Sequence, residues 1–266
     1  MQDPYDRAAE WIAESERVVA FSGAGVSAES GIATFRDPGG IWERFDPEEV
    51  GTVPGILALL RSDPSRLAGF LRESLRSVLD AAPNPGHVAL AALEQAGRLA
   101  GVITQNVDNL HQEAGSTRVI ELHGNVRQLR CTGCRTTELL TRPNIRQWLE
   151  RAFSGDLSFD AILARLPRCA PCGALQRIDV VLFGEAVQRL DEAVELAQEA
   201  DLMLVIGTSG MVYPAADLPA ACRRRGGRII VVNPHENNFT GLGGVFLHAK
   251  SGVALAELAR RVASLG

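Results

Sequence analysis

The sequence predicts an α/β protein: a parallel sheet with helices on both faces, joined to a smaller module built on cysteine. Three observations carry this. Short β-branched, apolar runs ending in glycine or small polar residues alternate with stretches of helical periodicity. A glycine-rich segment, GAGVSAES at 23–30, follows the first such run directly. Four of the five cysteines, Cys131, Cys134, Cys169 and Cys172, form two CxxC pairs, CTGC and CAPC. The chain of 266 residues is long enough for one large core or two modest domains, and 46% hydrophobic with 22% charged residues marks a globular chain and not a disordered one.

In chain order, residues 5–16 place Ala8, Trp11 and Ile12 on one helical face, and RVVAFSG at 17–23 reads as a buried strand. GRLAGVITQN (97–106), DLMLVIGTS (201–209) and GRIIVVN (227–233) repeat that design. A helix is expected over 185–200, with Val187, Leu190, Val194 and Ala197 on one face. GVFLHA (244–249) offers a last short strand, and 252–264 a closing helix. Parallel sheets of this kind bind ligands at the carboxyl ends of their strands.

Two CxxC turns deliver two thiolates each, the ligand set of tetrahedral zinc; a chain with no secretory leader makes disulfides the poorer reading. Four thiolates leave no position open to water, so the zinc is expected to be structural. The linker between the pairs, 135–168, is long and contains PNIRQWLERAF, with Ile145, Trp148, Leu149 and Phe153 at helical spacing; it is expected to form a helical insert packed on the zinc module. Cys222, in LPAAC, reads as a buried small hydrophobe.

No apolar run is long enough to span a membrane, and MQDPYDRAAEW lacks the apolar core of a leader, so a cytoplasmic protein without membrane partners is expected. A net charge of −5 gives no general reason to bind nucleic acid directly. The cluster Arg223, Arg224, Arg225 and Arg228 reads as a solvated helix end, and Lys250 is the only lysine.

Gly23, Gly25 and Ala28 fit the dinucleotide pattern G-x-G-x-x-G/A. A hydride-transferring domain also needs a full helix and then a strand ending in an acid about 20 residues on. Glu43 and Asp46 lie near that distance, but Gly31, Pro38, Gly39 and Gly40 interrupt the segment and no apolar strand precedes either acid. The glycine loop runs instead into a long loop bearing arginine.

The combination is more specific than any part. GAGVSAESGIATFR, TQNVDNLHQEAG (104–115), ELHGNV (121–126), the two CxxC pairs, VVLFGE (180–185), GTSGMVYPAA (207–216) and VVN (231–233) occur in this order. Together they resemble the sirtuins, NAD-dependent protein lysine deacylases, over nearly the whole chain, and GVSAES with GTSG-x-VYPAA looks like the bacterial branch. The resemblance implies a Rossmann-like NAD-binding domain over 1–34, 84–125 and 180–266. It implies a cofactor loop and helical insertion over 35–83, and a zinc-ribbon module with a helical insert over 126–179. NAD is the implied cosubstrate and zinc the implied structural ion; acyl-lysine peptides are the implied partners of a chain favoured as a monomer.

By the same resemblance, the N–H groups of Ala24 and Gly25, at the start of a helix after the first strand, cradle the pyrophosphate with Gly23 and Ala28. Arg36 is a phosphate partner, and Phe35 shields the reacting sugar. Asn106 and Asp108, with Ile32, surround the nicotinamide, and Gln105 lies near the ribose. Asn109 and His111 are then expected at a helix start and on the surface. Gly207, Thr208, Ser209 and Asn233 hold the adenosine half, with Ser251 at the adenine. Val181, Phe183, Gly184, Glu185 and Val212 supply edge backbone for an extended peptide.

His123, in ELHGN, matches the family's catalytic base, with Asn106 as its catalytic companion. The implied reaction begins when the acyl-lysine oxygen attacks the anomeric carbon and expels nicotinamide. His123 then takes a proton so that the 2′-hydroxyl can attack the imidate, giving lysine and O-acyl-ADP-ribose. A mono-ADP-ribosyltransferase or NAD hydrolase using the same pocket is the alternative. A zinc-ribbon binding module would need a basic, aromatic surface that the composition does not supply.

The chain departs from the family pattern at Ala33 and Asp37, where Pro and Gly are usual, and at Ile178, a common proline. Family members that remove succinyl or malonyl groups carry a Tyr and an Arg three residues apart on the helical insertion. Here DPSRLAGFLRESLRS (63–77) puts Leu71 and Ser74 at those positions, with Arg72 and Arg76 nearby. Without a guanidinium to grip a carboxylate, acetyl or longer apolar acyl groups are expected to be preferred.

Overall fold

The computed structural model describes residues 2–33, 43–242 and 244–265. Phe35, Arg36 and Asp37 lie outside the described residues. The chain begins with α1 (Pro4–Glu14), which starts where the Asp3 carboxylate accepts the Tyr5 N–H and buries Ala8, Ala9 and Ile12. β1 (Val18–Ser22) follows, buried throughout. Then come α2 (Pro47–Val50), α3 (Val53–Ser62), α4 (Pro64–Asp80), α5 (Pro85–Gln95), β2 (Gly101–Thr104), α6 (Leu110–Glu113) and β3 (Val119–Glu121). The next stretch holds β4 (Gly124–Cys131), β5 (Thr137–Leu139), α7 (Arg142–Ala152), α8 (Phe159–Arg165) and β6 (Gln176–Val180). α9 (Leu190–Glu199), β7 (Leu202–Ile206), α10 (Leu218–Arg224), β8 (Arg228–Val232), β9 (Val245–Leu247) and α11 (Ser251–Leu265) close the chain.

Six strands form one sheet in the order β3-β2-β1-β7-β8-β9, and every neighbouring pair is parallel. The pleat alternates side chains between two cores. Val18, Ala20, Leu202, Leu204, Ile206 and Ile230 face α1, α5 and α11. Val19, Phe21, Ile103, Met203, Val205 and Ile229 face α9 and α10. Phe21, fully buried on the central strand, contributes about 2–3 kcal/mol by that burial alone. Cys222 is buried in the second core, its thiol directed at the Ala200 carbonyl, as its apolar setting predicts.

The expected helix over 185–200 begins only at Leu190. The Glu185 carboxylate accepts the Leu182 N–H and both oxygens meet Arg177, so 182–185 is a turn; Arg189 then enters α9 in the left-handed region.

The second module has its own core. Leu67, Phe70, Leu75 and Leu79 of α4 meet Ile145, Leu149 and Ala152 of α7, Ile162 of α8 and Val126 of β4. α7 is the helix expected between the CxxC pairs, started by Thr141, whose hydroxyl accepts the Asn144 N–H, with Pro143 in the first turn. Its apolar face turns toward α4 and the inner end of β4, and not toward the cysteine knuckles: the aliphatic stripe needs an aliphatic partner, and α4 supplies one. Ile178 sits in β6 opposite Leu129 and packs on this core. β5, β4 and β6 form an antiparallel sheet in that spatial order.

Candidate active site

Between β1 and β7 the sheet order turns from one half of the fold to the other, and the loops leaving these strands lie in backbone contact. A Cβ on Gly25 would sit 2.7 Å from Gly207 Cα, and one on Gly23 would sit 2.8 Å from Thr208 Cβ. Gly207 itself has φ +57 and no room for a side chain beside Val26 N. The glycine pattern is therefore required first by loop-on-loop packing. The Gly25 N–H is donated to the Gly207 carbonyl at 2.8 Å, so it is not free to cradle a phosphate. The Ala24 N–H takes no acceptor among the described residues. In place of the expected helix, two short 3₁₀ turns, Ala24–Val26 and Ala28–Ser30, follow β1.

Beside this junction Ser27 gathers the residues expected around the nicotinamide. Its hydroxyl donates to Asp108 Oδ2 at 2.7 Å and accepts from Asn106 Nδ2 at 3.1 Å. Its carbonyl accepts the Ile32 N–H at 3.4 Å. Asp108 is buried, which raises its carboxyl above the usual range, against the lowering effect of the Leu110 N–H and the Ser27 hydroxyl. Asn106 and Asp108 thus stand together at the end of β2, as the sequence implies. Gln105 reaches across to Thr208 Oγ1 at 3.0 Å and joins the β2 and β7 ends.

His123 lies on the tight turn between β3 and β4. Its Nδ1 is 2.9 Å from the Gln105 carbonyl, an oxygen that can only accept. Nδ1 therefore carries the proton, and Nε2 is left as a lone-pair base with no protein partner among the described residues. Burial lowers the His123 pKa and the Gln105 bond opposes that. The His123 carbonyl accepts the Val181 N–H at 2.9 Å, so the same residue fixes the start of the VVLFGE stretch.

That stretch offers less edge than expected. The Phe183 N–H goes to the Gly51 carbonyl at 2.8 Å and the Leu182 N–H to Glu185, whose own N–H returns to the Leu182 carbonyl. The Glu185 carboxylate is spent on Arg177 and Leu182. Thr52 and Phe183 also form an isolated parallel bridge, so this stretch is already paired in part. Phe183 is 51% exposed, Val181 and Val212 half-buried.

Of the residues expected at the adenosine half, Thr208 is buried, Ser209 exposed, and Asn233 half-buried with its Nδ2 donated to the His235 carbonyl at 2.7 Å. Its Oδ1 and the second amide N–H remain for a ligand. Ser251 is buried at the start of α11, its hydroxyl without a partner among the described residues. The next N–H, Gly252, donates to Glu29 at 2.6 Å and ties this helix to the glycine loop.

Two residues differ from expectation in kind. Asn109 does start α6, at φ 67, but His111 is not on the surface: it is 1% exposed and its Nε2 lies 2.9 Å from Ser22 Oγ. His87, which the sequence reading passed over, is also buried, 3.3 Å from Ser27 Oγ and ring-to-ring with His111 at 4.9 Å. Burial depresses both histidines, His87 to about 4 and His111 to about 3. One signal was present in the sequence: Asn84-Pro85-Gly86-His87 is a helix start whose fourth residue reaches back to the Asn84 N–H.

The Sγ atoms of Cys131, Cys134, Cys169 and Cys172 lie within 4.8 Å of one another. The pairs 131–172 and 134–169 are 3.4 and 3.5 Å apart, close to the roughly 3.8 Å edge of a tetrahedron with Zn–S bonds of about 2.3 Å. The N–H groups of Gly133 and Cys134 point at Cys131 Sγ, as in a metal-binding knuckle. The donor set fits zinc, and four thiolates fill its coordination sphere.

Fold and site together define an α/β protein of the dinucleotide-binding type, with glycine-bearing loops meeting at the sheet's switch point and a four-thiolate ribbon inserted after β3. The chain belongs to the Sir2 family, whose profile matches residues 23–214. It is 47% identical to an NAD-dependent protein deacylase of Desulfosudis oleivorans, over 96% of this chain and 94% of the relative. It is 44% identical to one of Thermococcus kodakarensis, with the same coverage of both chains. A solved Sir2 homolog–NAD complex superposes with a TM-score of 0.82 at 39% identity, covering 100% of this chain and 95% of that one. A Sir2 variant with a deacetylated peptide and 3′-O-acetyl ADP ribose does so at 0.77 and 35%, covering 97% of each.

Proposed function

We infer that this chain is an NAD-dependent protein lysine deacylase that passes the acyl group of an acyl-lysine peptide to ADP-ribose and releases nicotinamide. The observation that carries this is His123. Its proton is fixed on Nδ1 by the carbonyl of Gln105, the residue before Asn106, which leaves Nε2 as the basic nitrogen. In this reading NAD lies across the β1 and β7 ends, near Ala24, Gln105, Thr208, Ser209, Asn233 and Ser251, with Phe35 and Arg36 as its further partners. Asn106 and Asp108 face the nicotinamide half, held in register by Ser27. His123 Nε2 receives the proton that frees the sugar hydroxyl to attack. The bound zinc holds the two knuckles together and supplies no chemistry to the acyl group. The peptide lies along the Val181–Glu185 stretch, with Val212 on its other side.

The acyl end should be apolar. Leu71 packs on the small-module core, and Ser74 turns its hydroxyl back to the Phe70 carbonyl at 2.8 Å. Arg72 reaches the Phe153 carbonyl, and Arg76 pairs with Asp80. No guanidinium of α4 stands ready for an acyl carboxylate. Acetyl and longer apolar chains are therefore expected to be turned over faster than succinyl, and a peptide series on one backbone tests it; succinyl equal to acetyl would refute it.

On the same reading the working unit is a cytoplasmic monomer without nucleic-acid or membrane partners. No helix of the described residues is long and apolar enough to cross a membrane. The sheet domain (1–34, 84–125, 180–266) binds NAD, and segments 35–83 and 126–179 close the cleft over it.

A further inference from the structure

The two buried histidines belong to a ring of hydrogen bonds that encloses Asn106 from both sides. On one side the Asn106 amide donates to Ser27 Oγ, which also stands 3.3 Å from His87 Nε2. On the other side the Asn106 backbone N–H donates to Thr104 Oγ1 at 3.1 Å. That oxygen also accepts the Ser22 hydroxyl at 2.9 Å, and Ser22 Oγ lies 2.9 Å from His111 Nε2. The ring closes where the His87 and His111 imidazoles meet edge to face.

Its direction follows from taking the Ser22 hydroxyl as the donor to Thr104. Ser22 has one hydroxyl proton and gives it to Thr104, so it must accept from His111, which places the His111 proton on Nε2. His87 Nδ1 accepts the Asn84 N–H, so its proton is on Nε2 as well, directed at Ser27. Ser27 then accepts twice and donates once, to Asp108. One atom is left over: His111 Nδ1 is buried with no partner among the described residues. An apolar ring would fill that space without leaving an acceptor unpaired. What histidine alone supplies there is the Nε2–H.

We propose that His111 is a positioning residue for the reaction: through Ser22 and Thr104 it fixes the Asn106 backbone, while the His87–Ser27 arm fixes the Asn106 amide. This rests on the reading that Asn106 works at the reacting end of NAD.

The test uses the full-length enzyme with His111→Phe, His111→Gln, Thr104→Val and the His111→Phe/Thr104→Val double variant. Phenylalanine keeps the ring and removes the donor; glutamine returns an N–H at similar reach; valine removes the acceptor alone. Thermal melts first establish that each variant folds. His111→Phe is expected to lower kcat about 10–100-fold, the scale of a small misplacement of reacting groups, with peptide KM within about twofold of the parent. His111→Gln should recover at least about fivefold of that loss. The double variant should fall no more than about twofold below the worse single one, since both cut the same chain. Hydrogen exchange at the Asn106 backbone amide, which needs no turnover, should quicken at least about tenfold in His111→Phe and Thr104→Val. Unchanged exchange with kcat within about twofold of the parent would overturn the proposal, as would losses that multiply in the double variant. Should His111→Phe not fold, Thr104→Val alone decides by the same two readouts. A parent enzyme that releases no acyl-ADP-ribose would count against the deacylase reading, leaving the exchange result to judge His111.

Discussion

At the scale of single residues, the chemistry depends on which nitrogen holds a proton. Burial pulls His123 below the ordinary histidine value, so its neutral form persists further into acid. The acid limb of kcat/KM is expected below pH 6.5, and a limb at or above that value would contradict the buried, neutral base. His87 and His111 act on stability in the same pH region. Their folded values, about 4 and about 3, lie below the ordinary 6.5, so the unfolded chain binds protons first as pH falls. Their contribution is complete above about pH 6.5 and is lost toward pH 4 and 3, at up to about 1.4 kcal/mol per pH unit for each ring. Urea midpoints between pH 7 and 5 should therefore drop less steeply in His111→Gln than in the parent; equal slopes would contradict a buried neutral His111. The cysteines and His123 were legible in the sequence because spacing and a local motif carry them. The ring of Ser22, His87, Thr104 and His111 was not. Its members come from three segments far apart in the chain, around 22, 87 and 104–111, and a histidine in a four-residue helix gives no sign of which way it faces.

Among elements, the helix between the CxxC pairs shares the core of the small module with α4. Its apolar face, and not its charges, should matter. Leu149 and Ile145 are buried against α4, so Ile145→Ala is expected to cost about 2–5 kcal/mol. Glu113 takes Arg127 at 2.6 Å and Arg142 at 2.5 Å, bridging α6 to β4 and α7, but these pairs are partly exposed and worth about 1 kcal/mol or less each. Denaturant melts of Ile145→Ala and Glu113→Gln check the order; a larger loss in Glu113→Gln would reverse it. The helix itself was readable from Pro143 and the spacing of Ile145, Leu149 and Phe153. Its partner was not, because periodicity names a face and not what covers it. The long parallel strands were also readable, since burial on both sides makes them apolar throughout. β3 has three residues, and β4 carries Arg127 and Arg130 among its apolar positions, so neither gives a clear pattern.

Over the whole molecule, the sheet domain and the zinc-ribbon module meet at His123. Its side chain hangs on Gln105 of the sheet domain, and its carbonyl holds Val181 at the exit of β6, whose other end adjoins the second CxxC pair. Loss of zinc should therefore reach the active site. Strong chelation is expected to release one zinc per chain, measured by atomic emission, and to remove deacylation while the six-stranded sheet keeps most of the far-ultraviolet dichroism. Full activity in a zinc-free protein would show that the ribbon does not support the site. The global plan was legible because seven ordered motifs and the strand-helix alternation agree. The commitment of the Gly25 N–H to Gly207 was not, since it depends on how closely two loops pack.

The most direct test is mass spectrometry of the products formed from NAD and an acetyl-lysine peptide, run with the parent enzyme and with His123→Ala. Nicotinamide and O-acetyl-ADP-ribose in equal amounts from the parent, and at least about 100-fold less acyl product from the variant, is the result predicted here. ADP-ribose formed without regard to the peptide, or acyl product undiminished in His123→Ala, would contradict it.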